Sequence, residues 1–405
     1  MTLSELKKLL KKLSFIRPGG TDEEHRAAKE IKKLCEAMGS EVKEERFPIT
    51  VPENSTASIT FGSGSIDCEP YFDFGNGTVT GELYILHKRS DDYYKGCKDK
   101  IVLLDGAISR STYEKLYENG AKAFISFFGS VNERTKDIFS RRRRFIWDKE
   151  LMPAVCIHAK DAARLCTYRG KTVTLSNEFQ AKASYGINLT TEVKGEIDEE
   201  VIVCAHYDST SNSKGVFDNL SGTLALIHIL EELKEEKPFR GLRLLWTSCE
   251  ELGLVGAHHY CKEHKCELGK TALCINLDML GAAIGSFTSF SSVNEDTQGL
   301  LTDFAKNHSF PNESRLGIRS SDSTVFTSHS VPTVSFARYA PTGIATVHTV
   351  RDKLDAVDPA TLLNDMEYVS SFTRFALSKD FPKQGEIDEK IKEDTEKYFL
   401  NKIMP

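Results

Sequence analysis

The chain opens on an amphipathic pattern. Leu3, Leu6, Leu10 and Leu13 recur at helical spacing with lysines between them, which predicts a first helix with one apolar stripe. A second helix is predicted from Thr21, with Glu24 three residues on as a capping box. Its positions Ala27, Ala28, Ile31, Leu34, Cys35 and Met38 share a face, and Gly39 ends it. EVKEERFPI alternates, predicting a strand that Pro52 closes. From about residue 51 short β-like runs take over (ASITFG, GELYIL, KIVLLDG, AKAFISFFG, PAVCIHA, KTVTLS), with Gly, Asn and Ser turns between them and one helix at Ser111–Gly120.

Beyond about residue 186 the pattern alternates between apolar strands and helices. VIVCA, GLRLLWTS, TALCINL and PTVSFA read as strands. SGTLALIHILEELKEE, LVGAHHYCKEH and TQGLLTDFAKNH read as helices, with two more near 359–378 and 385–401. Such alternation predicts right-handed βαβ units. The expected fold class is α/β, a mostly parallel central sheet flanked by helices. Residues 1–50 and 186–405 form it, and a mainly-β unit at 51–185 interrupts it.

Composition narrows the function classes. Fifty-three Lys+Arg against 59 Asp+Glu leave a net charge of −6, which gives no support for a nucleic-acid partner. The basic run Arg141–Arg144, followed by Phe145, reads as a solvated loop. No apolar run reaches about 18 residues, so no membrane-spanning helix is expected. The ten cysteines form no Cys-x-x-Cys pair, and most sit in apolar runs. They read as reduced, buried thiols, and the expected address is cytoplasmic.

Open α/β sheets bind ligands beyond the carboxyl ends of their strands. His206 and Asp208 follow VIVCA, Glu250 and Glu251 follow LRLLWTS, Asp278 follows TALCINL, and His348 lies beyond PTVSFA. Asp218 stands just before the helix at 221. Carboxylates crowded on one rim repel unless a cation neutralises them. Mixed imidazole and carboxylate ligation suits zinc, or cobalt or manganese, rather than a cysteine-type site. Five ligands (His206, Asp218, Glu251, Asp278 and His348) suit two ions with Asp218 bridging. Asp208 is placed to accept the other ring N–H of His206 and fix its tautomer. Glu250, beside a ligand but not needed as one, is the expected general base. Among the remaining candidates, His228 reads as a core residue, His258, His259 and His264 as helix-surface residues, and Cys249 as a small buried filler.

The segments AHYDS, FDNLSG, EELGLVGA, NLDMLG and VHTVRDKLD resemble the co-catalytic two-zinc aminopeptidases of metallopeptidase family twenty-eight. KDKIVLLDGAIS, YENGAKAFISF and LMPAVCIHAKDAARL are similar to a protease-associated domain. The resemblance implies a zinc-exopeptidase fold with two zinc ions, one held by His206 and Asp278, the other by Glu251 and His348, with Asp218 shared. It also implies Glu250 as base, Asp208 as orienter and a cis bond at Asp218–Asn219. The implied reaction removes the N-terminal residue of a peptide substrate. Two departures bear on substrate preference. The segment Ser321-Asp322-Ser323-Thr324-Val325-Phe326 differs from the usual pattern, and Val347 replaces a tyrosine that often donates to the oxyanion. Tyr339 is a candidate for that role. The alternatives are a carboxypeptidase or other amidohydrolase, with Arg338 or Arg141–Arg144 reading a substrate carboxylate, and a binding protein that has lost catalysis.

Overall fold

The computed structural model describes residues 1–132, 141–142, 148–341 and 347–401. The chain divides into two compact units, Met1–Ile49 with Ser184–Tyr398, and Thr50–Ala183.

The first unit is a mixed α/β fold. Its four central strands, Thr333–Tyr339, Thr271–Leu277, Glu200–His206 and Gly241–Thr247, lie side by side in that order and run parallel. One edge adds Ser286–Ser291, antiparallel to 333–339, and then Asn312–Leu316. At the other edge, residues 189–193 of the long strand Thr172–Val193 pair antiparallel with 242–246. The central strands are mostly apolar and buried because both faces are covered. Val203, Leu244, Ile275 and Phe336 join the core formed by the helices Leu3–Leu13, Ser221–Leu233 and Pro359–Leu377. Helices Val255–Glu263 and Asp322–Ser328 pack together away from that cluster.

Thr2 and Glu5 make a reciprocal capping box, and Gly39 takes a left-handed φ of +83° just past Asp22–Ala37. At Thr21 only half the box forms. The hydroxyl accepts from the Glu24 N–H, but the Glu24 side chain turns inward and is fully buried. Pro52 does not close its strand, which runs from Lys43 to Phe61. A proline forfeits one donor, and along exposed stretches that donor is dispensable. The strands at 286–291 and 312–316 were not anticipated; SFTSFS and NESRL have too few apolar positions to mark them.

The second unit is more helical than expected. The strands Gly77–Ile85, Ile101–Leu103, Ala123–Phe128 and Ala154–His158 form a parallel set. Helices Arg110–Glu118 and Ala159–Leu165 accompany them. Arg141 and Arg142 pair with Tyr71 and Phe72 through the backbone; Arg143–Phe145 lie outside the described residues. No described helix is long and apolar enough to cross a membrane.

Candidate metal centre and active site

Parallel pairing aligns the carboxyl ends of the central strands, and the site residues sit there. His206 ends its strand directly opposite Thr247. Cys204 pairs with Asn276, so His206 and Asp278 stand two residues further along neighbouring strands. Glu250 and Glu251 follow Thr247 in an irregular turn. Asp218 lies in the one-turn segment Val216–Leu220 before the next helix, and the Asp218–Asn219 bond is cis. His348 adopts a left-handed backbone, φ +58°.

These residues converge as two groups that share Asp218. In one, His206 Nε2 lies 3.1 Å from Asp218 Oδ1 and 3.6 Å from Asp278 Oδ1. In the other, His348 Nε2 lies 3.3 Å from Asp218 Oδ2 and 3.1 Å from Glu251 Oε2. The candidate donor atoms of each group all lie within 4.8 Å of one another. Each oxygen of Asp218 thus faces a different histidine. Asp278 Oδ1 is buried and takes no hydrogen bond among the described residues. An acceptor left this way costs free energy that a cation would recover. The donor set, imidazole nitrogen and carboxylate oxygen with no thiolate, fits zinc.

The electrostatics follow from the crowding. Burial works against charge on His206, but Glu250 and the aspartates around it overcome this and raise its imidazole well above the ordinary value. Burial likewise opposes charge on Asp218, yet its hydrogen bonds with His206 and His348 hold the carboxyl well below the usual range. Loss of solvation pushes the Glu250 carboxyl well up, with Glu251, Asp322 and Asp278 adding to it against His206.

Several supporting residues were missed or only half seen in the sequence. Asp208 does more than approach His206 Nδ1, at 3.3 Å. Its two oxygens also accept from the backbone N–H groups of Glu250 and Glu251 at 3.0 and 3.1 Å. Asp352 accepts from Phe217 N–H and Asp218 N–H at 2.7 and 3.1 Å, and burial pushes its carboxyl up to about 7. Asn219 donates to Leu277 O and accepts from Gly222 N–H, joining the helix start to the end of the neighbouring strand. Arg319 donates to Asp278 O at 2.9 Å and approaches Asp278 Oδ2 at 3.2 Å. Asn219 and Asp352 lie inside segments that carried the resemblance. No sequence signal marks Arg319.

The other candidates sort differently. Arg338 is bound to both oxygens of Asp365, at 2.8 and 2.5 Å, and to Gly285 O. That commitment removes it as a reader of substrate carboxylate. Tyr339 sits beneath the Arg319 guanidinium, 5.3 Å from its ring centre. Asp322 accepts from Thr247 Oγ1 at 2.5 Å. His228 and Cys249 are buried. His258, His259 and His264 are not surface residues as expected. Each is partly buried; His259 stacks on Phe47, and His264 binds Glu45 at 2.7 Å.

Comparison with known proteins gives a consistent result. Residues 188–373 match the family model described as Peptidase family M28. Aminopeptidase YwaD of Bacillus subtilis is 27% identical over 282 residues, 66% of this chain and 59% of that protein. Leucine aminopeptidase 2 of Arthroderma otae is 27% identical over 219 residues, 50% of this chain and 42% of that protein. The chain thus spans about half the length of these curated relatives. Among solved structures, the zinc aminopeptidase BSAP from Bacillus subtilis superposes with a TM-score of 0.77 at 22% identity, covering 96% of this chain and 98% of that one. The segment that carries every residue of the two convergent groups, residues 188–373, is thus the one that matches the model of peptidase family M28.

Proposed function

We propose that this protein is a zinc-dependent aminopeptidase, with His206, Asp218, Asp278, Glu251 and His348 holding two zinc ions. The observation that carries this reading is the pair of ligand groups sharing Asp218, with Glu250 beside them. The names of the relatives support the same activity. Bound zinc would lower the pKa of water and polarise the scissile carbonyl.

The chain's own residues supply the proton chemistry. Glu250 takes a proton from the attacking water as the water oxygen bonds to the carbonyl carbon. It returns that proton to the peptide nitrogen as the C–N bond breaks, leaving a free amino acid and a shortened peptide. Asp208 holds the Glu250 and Glu251 backbone in place for this. The carboxylate-rich rim near Glu250 and Asp278 receives the positively charged α-amine of the substrate. Residues 51–185 act as a protease-associated insert. The ten thiols, mostly buried, support a cytoplasmic address.

The test is Glu250→Gln. Hydrolysis of aminoacyl-nitroanilides should fall at least about 10²-fold, the scale of losing a general base, while zinc content stays at the wild-type value. Loss of metal in this variant would make Glu250 a ligand and overturn its assignment as base. Cleavage of acidic C-terminal dipeptides in place of aminoacyl-nitroanilides would turn the reading toward a carboxypeptidase.

A further inference from the structure

Two buried, ionisable side chains stand near the amino end of the chain, well before the stretch that the family model matches. Arg17 is 1% exposed and Glu24 is fully buried. Neither belongs to the catalytic constellation, and the apolar core does not need either. Their partners explain them.

Arg17 spends its guanidinium on backbone carbonyls. It donates to Tyr207 O, to Lys214 O at 2.5 Å, to Gly215 O at 2.8 Å and to Phe15 O at 3.1 Å. Its backbone N–H donates to Ser209 Oγ, and its carbonyl accepts from Ser209 N–H. Residues 207–215 are the irregular loop between His206 and Asp218. Carbonyls buried in such a loop have no ladder to satisfy them. A planar fork with five donors in fixed directions can hold several at once.

Glu24 does the same for the other side of the site. One oxygen accepts from Ser248 Oγ at 2.7 Å and from Cys249 N–H at 3.0 Å. The other accepts from Gly20 N–H at 2.6 Å. Ser248 and Cys249 lead directly into Glu250 and Glu251, in a turn that lacks regular structure. The approach is close: a Cβ on Gly19 would lie 3.0 Å from Cys249 Cα.

We propose that Arg17 and Glu24 are positioning residues, a clamp from the first fifty residues that holds the His206–Asp218 loop and the Ser248–Glu251 turn in the arrangement that binds zinc. The clamp acts through backbone it does not share with any ligand. The inference rests on the zinc-site reading above.

The experiment measures zinc affinity by competition with a chromophoric chelator, alongside kcat and KM for an aminoacyl-nitroanilide, on variants shown by circular dichroism to be folded. Ile31→Ala, a core truncation on the same helix as Glu24, is the reference for general destabilisation. Glu24→Ala should lose about 10–100-fold in zinc affinity, the usual cost of removing a partner that orients a metal site. It should lower kcat more than it raises KM. Glu24→Gln, which keeps the acceptor toward Ser248 and Cys249, should recover most of the affinity. Arg17→Lys, which keeps the charge but not the fork, should lose affinity like Glu24→Ala and carries the test if Glu24→Ala does not fold. Ile31→Ala should bind zinc as the wild type does. Clamp variants that bind zinc no worse than Ile31→Ala overturn the proposal. A wild-type protein that takes up no zinc overturns the metal reading, and this inference with it.

Discussion

Asp218 and Glu24 show what single residues do here. Asp218 could be singled out in the sequence because it stands before an apolar helix among other acids. Its place between the two groups needed both histidines, one on each oxygen. Glu24 read as an ordinary capping residue, and the structure buries it instead. Burial, with the charge of Asp208, pushes its carboxyl from 4.5 up to about 8. A carboxyl with a higher pKa folded than unfolded binds more protons in the folded state. Its stabilising contribution is therefore full below about 4.5 and is lost as pH rises through about 8. Glu24→Gln removes this titration. Urea unfolding across that range should show the wild type losing stability relative to the variant as pH rises. Parallel profiles for the two proteins would refute the assignment.

At the scale of elements, the site depends on how closely a helix approaches a strand end. Gly222 opens the helix behind Asp218, and a Cβ there would meet Leu277 O at 2.3 Å and Asn219 Oδ1 at 2.6 Å. Leu277 directly precedes Asp278. Gly222→Ala should therefore destabilise the protein by about 1–3 kcal/mol, the usual cost of overpacking, and weaken zinc binding by displacing Asp278. Denaturant unfolding with a chelator-competition assay checks both. The central strands were legible because burial on both faces makes them continuous apolar runs. The edge strands at 286–291 and 312–316 were not. Their polar positions carry no period, and only pairing with a neighbour defines them.

At the scale of the whole molecule, the two units have separate hydrophobic clusters. All the candidate ligands lie in the unit built from Met1–Ile49 and Ser184–Tyr398. A ligand that binds only the folded state stabilises it by about 2.7 kcal/mol at a hundredfold excess over its Kd. Calorimetry should accordingly resolve two unfolding transitions, and adding a chelator should lower only one of them. A single transition that moves as a whole would show that the units unfold together.

The sequence by itself determined the alternation of strands and helices, the rim on which the chemistry sits and the residue types that occupy it. Apolar periodicity and strand-end position are local properties, so they are written into short stretches of chain. Tertiary structure alone decided which groups meet. Pairing in register brings His206 beside Asp278. The fold returns His348 to Asp218, commits Arg338 to Asp365, and lays Arg17 and Glu24 against loops about two hundred residues away. Such contacts depend on where distant segments pack and which buried polar groups each must satisfy, and no local pattern encodes that.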